Sequence, residues 1–129
     1  MKIIGVDFGT RKVGFAISDG ILAEPYSVIR YDDEAALMAK IKRVCDGEGV
    51  EKVVVGVSES DSARKSVDFG KKLSEFLGIQ VVFQDETLTT YDAKDLALKA
   101  GINKNKRHKL EDAYSAALIL QSYLDQNKS

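Results

Sequence analysis

Apolar and polar positions along the chain follow two repeats, and the elements follow from which repeat is running. The run Lys2-Ile3-Ile4-Gly5-Val6-Asp7-Phe8 is apolar until one carboxylate near its end. The chain then turns on Gly9 through two cations, Arg11 and Lys12, and resumes as an apolar run from Val13 to Ile17. This pattern predicts a tight hairpin at the centre of a sheet. Strand parity puts Ile3, Gly5, Asp7 and Gly9 on one face, and Ile4, Val6 and Phe8 on the other. Asp7 therefore lies on a face that glycine keeps small, open to close approach by a helix or a substrate backbone.

A third strand is expected over 23–30, with the one proline, Pro25, near its start, where an edge strand tolerates it. Asp32 and Asp33 precede a helix running to about Asp46, ended by Gly47 and Gly49. Residues 52–57 are continuously apolar, as in a strand buried on both faces. A polar loop, 58–62, leads to a helix over 63–77 with Val67, Leu73, Phe76 and Leu77 at helical spacing and Gly78 as its stop. Ile79 to Phe83 reads as another buried strand, and 87–100 as a short amphipathic helix. Gly101 to Lys109 reads as a loop, and Leu110 to about Asp125 as the last helix. The order β-β-β-α-β-α-β-α predicts an antiparallel meander extended by parallel strands through crossover helices.

Composition narrows the class. A length of 129 residues predicts a single domain, and 44% hydrophobic with 30% charged residues is ordinary for a soluble globular protein. A net charge of −1 excludes coating of nucleic acid or membrane by bulk charge, so any polyanion contact needs a local basic patch. The one cysteine, Cys45, excludes an internal disulfide and a cysteine zinc site, and its helical neighbours Leu37, Met38 and Ile41 place it in the core. No long apolar run or cleavable leader is visible, which predicts a cytoplasmic protein without membrane contact.

The candidate chemistry is a set of distant acids. Asp7 closes the first strand, Asp85 and Glu86 close the last, and Asp112 falls in the expected first turn of the last helix. Sites in such sheets collect at the carboxyl ends of the parallel strands. Asp112 shares a stripe with Ala116, Ile119 and Tyr123, so it should face the sheet. Small residues at Ala113, Ala116 and Ala117 would let this helix approach the Asp7 face. Acids gathered there repel unless neutralised, and no lysine or arginine is expected on the same faces. A divalent cation is then the expected counter-charge, and an all-oxygen donor set favours magnesium or manganese. The alternative is a set of helix caps and strand-end turns.

These residues resemble the YqgF/RuvX family, small RNase H-like proteins described as Holliday junction resolvases or ribosomal RNA precursor nucleases. The segment VDFGTRKVGFAISD (6–19) resembles the family's first motif, DETLTT (85–90) its strand-end motif, and LEDAYSAALILQSYLD (110–125) its last helix. The resemblance implies an RNase H-like five-stranded mixed sheet with helices on both faces. It also implies a metal-dependent nuclease centre at Asp7, Glu86 and Asp112, acting in maturation of small-subunit ribosomal RNA or in junction resolution. Thr87 replaces the arginine usual after the Asp-Glu pair, and Val57-Ser58-Glu59-Ser60 replaces a Leu-Pro loop. Glu59 is thereby a second candidate ligand behind Glu86.

Lys104, Lys106, Arg107 and Lys109 form the densest cationic run and, with Arg11 and Lys12, are the candidates for holding structured RNA or branched DNA. Two rivals share these motifs. The Asp7-Phe8-Gly9-Thr10 turn also resembles the phosphate loop of actin-like and sugar-kinase domains, which need a second lobe. A non-catalytic module binding RNA or protein on the same fold is the other. Either a monomer or a homodimer fits the sequence.

Overall fold

In the computed structural model, residues 1–57, 62–86 and 104–127 are described, apart from the side chains of Ser62 and residues 104–110. Five strands make one mixed sheet in the order β3-β2-β1-β4-β5. They are β1 (Lys2–Phe8), β2 (Lys12–Ser18), β3 (Ala23–Arg30), β4 (Val50–Val57) and β5 (Gln80–Asp85). Strands β1, β2 and β3 form the antiparallel meander, and β4 and β5 add in parallel beside β1. The crossovers are α1 (Glu34–Glu48) and α2 (Ser62–Leu77), and α3 (Lys104–Gln126) covers the other face.

Alternation along β1 divides the core in two. Ile4 and Val6 join Val13, Phe15, Leu37, Ile41, Phe69 and Leu73 under α1 and α2. Ile3 joins Ala16, Val54, Ala116, Ala117 and Leu120 under α3. In β4, Val53 and Val55 serve the first core and Val54 the second, so its unbroken apolar run is buried on both faces. Pro25 lies on the edge strand, where the β2–β3 register shifts between Phe15 and Ala16.

Asp33 caps α1 by accepting from the Ala35 N–H at 3.1 Å, and Gly49, at φ 69°, ends it. Four expectations need correction. Gly47 lies inside α1, because one glycine costs a helix only about 1 kcal/mol when flanking residues pack. Phe76 is 47% exposed; Phe69 takes the core position in α2, where Gly70 leaves room for Phe83 of β5. β5 is a half-covered edge strand rather than a buried one, since among the described residues nothing pairs beyond it in the sheet. The last helix begins at Lys104, not Leu110: after Gly101 the run has no helix breaker, and lysine and arginine favour helix. The helix expected over 87–100 lies outside the described residues.

Candidate active site

The site is built where the sheet and α3 come closest, and glycines set that distance. Asp7 sits opposite Gly14 in the β1–β2 ladder. A Cβ on Gly14 would run into the Asp112 backbone carbonyl, so only a hydrogen there lets α3 lie flat against β2. Gly5 does the same one turn further along the helix, where a Cβ would fall 2.8 Å from Leu120 Cβ and 2.9 Å from the Ala116 carbonyl oxygen. Asp112 is thus carried to the Asp7 end of β1 by backbone contact. With the helix starting at Lys104, it lies roughly two turns inside α3 rather than in the first turn.

Glu86 follows β5 directly and folds back over β4. A Cβ on Gly56 would meet its Oε1 at 2.7 Å and Ile119 Cδ1 at 2.5 Å, so Gly56 is the floor on which this carboxylate rests. From there Glu86 hydrogen-bonds Asp7, which requires one of the two carboxyl groups to carry the proton. Asp85 belongs to the opposite parity: it is exposed, while its neighbour Gln84 is buried and donates to Gln126 of α3.

The electrostatics follow from this packing. Burial pushes the Asp7 carboxyl up to about 7 from 3.8, helped by the Glu86 charge, the hydrogen bond to Glu86 and the Asp112 charge. Three acids from three separate parts of the chain therefore act on one another. Contrary to expectation, a cation shares their face. Lys12 Nζ lies 3.0 Å from Asp112 Oδ2, with both side chains partly exposed. Counting by twos along β2 from Gly14, the partner of Asp7, would have placed Lys12 on this side.

No group of three or more His, Cys, Asp or Glu side chains among the described residues is arranged to hold a metal ion. The donor chemistry nonetheless suits a hard cation: all three groups offer carboxylate oxygen, and burial with two acidic neighbours makes the ionised form of Asp7 costly without a counter-charge.

Of the cationic candidates, Lys12 is at the site, and Arg11 is exposed in the adjoining turn. The side chains of Lys104, Lys106, Arg107 and Lys109 lie outside the described residues, as does Glu59. Sequence reasoning missed Tyr31. Its hydroxyl donates to the Gly9 carbonyl at 2.6 Å and its N–H to the Arg11 carbonyl at 3.0 Å, clamping the turn that follows Asp7. Phe8 stacks between Tyr31 and Phe69, with centroids at 6.1 and 4.2 Å, and braces the same turn from the other face.

Known proteins match this chain along its whole length. The profile of a family described as "RuvX: Holliday junction resolvase" matches residues 1–126. A protein of Clostridium beijerinckii named "Putative pre-16S rRNA nuclease" is 35% identical, covering 97% of this chain and 96% of its own. A protein of the same name from Clostridium botulinum is 36% identical, with 97% of each chain covered. In structure, RuvC of Thermus thermophilus, solved with a Holliday junction substrate, aligns at a TM-score of 0.65 and 16% identity, over 98% of this chain and 96% of that one. The fowlpox virus Holliday junction resolvase aligns at 0.66 and 17%, over 98% and 99%. At such identities the likeness is one of fold, the RNase H-like fold of these resolvases. Among the described residues, no helix is long and apolar enough to cross a membrane.

Proposed function

The chain belongs to the RuvX family of Holliday junction resolvases, and from that premise we propose that it is a divalent-metal-dependent nuclease cleaving phosphodiester bonds of structured nucleic acid. Its substrate on this reading is the precursor of small-subunit ribosomal RNA, the one named for the relatives at 35% and 36% identity. The observation that carries the proposal is the meeting of Asp7, Glu86 and Asp112, with the Asp7 carboxyl raised to about 7 by burial and by its two acidic neighbours.

Asp7, Glu86 and Asp112 would hold magnesium or manganese, which supplies Lewis-acid activation of water and neutralises charge on the phosphate when bound. The remaining work falls to the chain. A bound cation would favour the ionised form of Asp7, because a nearby positive charge lowers a carboxyl pKa. Asp112 would serve as a ligand in place of its contact with Lys12. Lys12, released, is within a side chain's reach of a phosphate at the same place, and Arg11 adds a second contact. Gly14 lets α3 bring Asp112 up to β2, and Tyr31 holds the turn after Asp7 in shape.

A second reading, resolution of branched DNA, is favoured by the description of the family. Cleavage assays on a precursor 16S rRNA fragment and on a four-way DNA junction, with and without manganese, separate the two. The proposal expects manganese-dependent cleavage of the RNA that Asp7→Asn abolishes. Cleavage of the junction alone would move the substrate to DNA. Binding without cleavage, with or without manganese, would leave a nucleic-acid-binding module on a nuclease fold.

A further inference from the structure

Beyond the acid cluster, the opposite side of the β1–β2 turn carries an unassigned concentration of positive charge. Arg11, Arg30 and Lys40 line an open cavity of about 500 Å³ between the end of β3 and the start of α1, together with Tyr31, Asp32 and Asp33. All three cations are exposed, and among the described residues none of them forms an ion pair with a carboxylate. The two acids do not cancel them. Two carboxylates stand against three cations, and Asp33 is committed to the helix cap.

The arrangement is unfavourable for the fold alone. Arg30 stands directly opposite Lys12 in the β2–β3 ladder, and like charges in that position repel. Asp112 pairs with Lys12, whereas among the described residues no carboxylate forms an ion pair with Arg30. On α1, the neighbours of Lys40 three and four residues away are Ala36, Leu37, Arg43 and Val44, so no acid supports it. Lys42, one turn-face away, does have its partner, Asp46 at 3.5 Å.

From this geometry we infer that Arg11, Arg30 and Lys40 form a phosphate subsite taking the nucleic-acid backbone beside the cleavage site, as the strand leaves Lys12 and crosses the β2–β3 edge. Continuity supports a strand over a lone anion. Lys12 and Arg30 are register partners, and Tyr31 ties the cavity wall to the carbonyls of Gly9 and Arg11. The subsite rests on the nuclease reading for its ligand, and its cations are exposed as a passing polyanion requires.

The test is salt-dependent binding of a labelled precursor 16S rRNA fragment to the full chain in metal-free buffer. It compares wild type, Arg30→Ala/Lys40→Ala and the charge-matched control Lys42→Ala/Lys71→Ala. The subsite predicts that the first variant binds roughly ten-fold more weakly and that its slope of log affinity against log salt falls by about 1.5, while the control keeps the wild-type slope. Equal losses in both variants, or none in either, would overturn it while leaving the nuclease reading intact. Failure of wild type to bind RNA at any salt would remove both. Inorganic phosphate is the last arm. Phosphate that binds wild type and not the double variant, yet leaves RNA affinity at matched ionic strength unchanged, would mean a small-anion site and would also overturn it.

Discussion

Lys12 and Asp112 meet across the β2–α3 boundary at 3.0 Å, so a positive charge of the chain itself already sits at the acid cluster. A divalent cation at Asp112 has to displace that ammonium group. Lys12→Met should therefore bind manganese more tightly, by roughly three- to ten-fold, a modest gain because both groups are partly solvated. The same variant should bind RNA more weakly, since a phosphate contact is lost. Calorimetric titration with manganese and an RNA binding curve check the two opposite signs.

The raised Asp7 pKa sets the sign of a pH effect on stability. The folded chain holds this proton more tightly than the unfolded chain does, since the value rises from 3.8 to about 7. Its stabilising contribution is full below 3.8 and is lost as pH rises through about 7. Metal-free protein should consequently melt lower at pH 8 than at pH 5, by on the order of 2 kcal/mol in stability. Asp7→Asn, which cannot ionise, should flatten that dependence and raise the melting temperature at pH 8. Thermal melts of both proteins in chelator across this range provide the comparison.

Gly14 and Gly47 predict opposite outcomes for one substitution. At Gly14, the added methyl meets the Asp112 backbone, which cannot step aside unless α3 moves. Gly14→Ala should cost about 1–3 kcal/mol in urea unfolding and weaken manganese binding as Asp112 is displaced. At Gly47, inside α1, a Cβ meets nothing within 4 Å, and φ is not positive. Gly47→Ala should stabilise the protein by up to about 1 kcal/mol and leave metal binding unchanged.

Most of the fold could be read from period and punctuation. The two-sided burial of β4 followed from its unbroken valines, and the edge position of β3 from Pro25. The start of α3 could not be read, because Lys104 to Lys109 carries no apolar repeat and polarity alone does not separate a helix from a loop. The exposure of β5 was hidden for the opposite reason: an apolar run looks alike at the edge and the centre of a sheet. At the site, Asp7 and Asp112 were visible as acids on apolar stripes. The preference for Glu86 over Asp85 rests on the family resemblance alone; its physical reason, a carboxylate folding back over Gly56 from a neighbouring strand, is visible only in the coordinates. The Lys12 contact was within reach of parity along β2, whereas the cavity of Arg11, Arg30 and Lys40 joins three elements and has no local signature.

The central claim is that Asp7, Glu86 and Asp112 share a cation. Calorimetric titration of manganese into wild type, Asp7→Asn and Asp112→Asn, each first shown to be folded by circular dichroism, measures it directly. The account predicts saturable binding to wild type and its loss, by at least an order of magnitude in affinity, in each variant. Wild type that binds no manganese, or variants that bind it as wild type does, would contradict it.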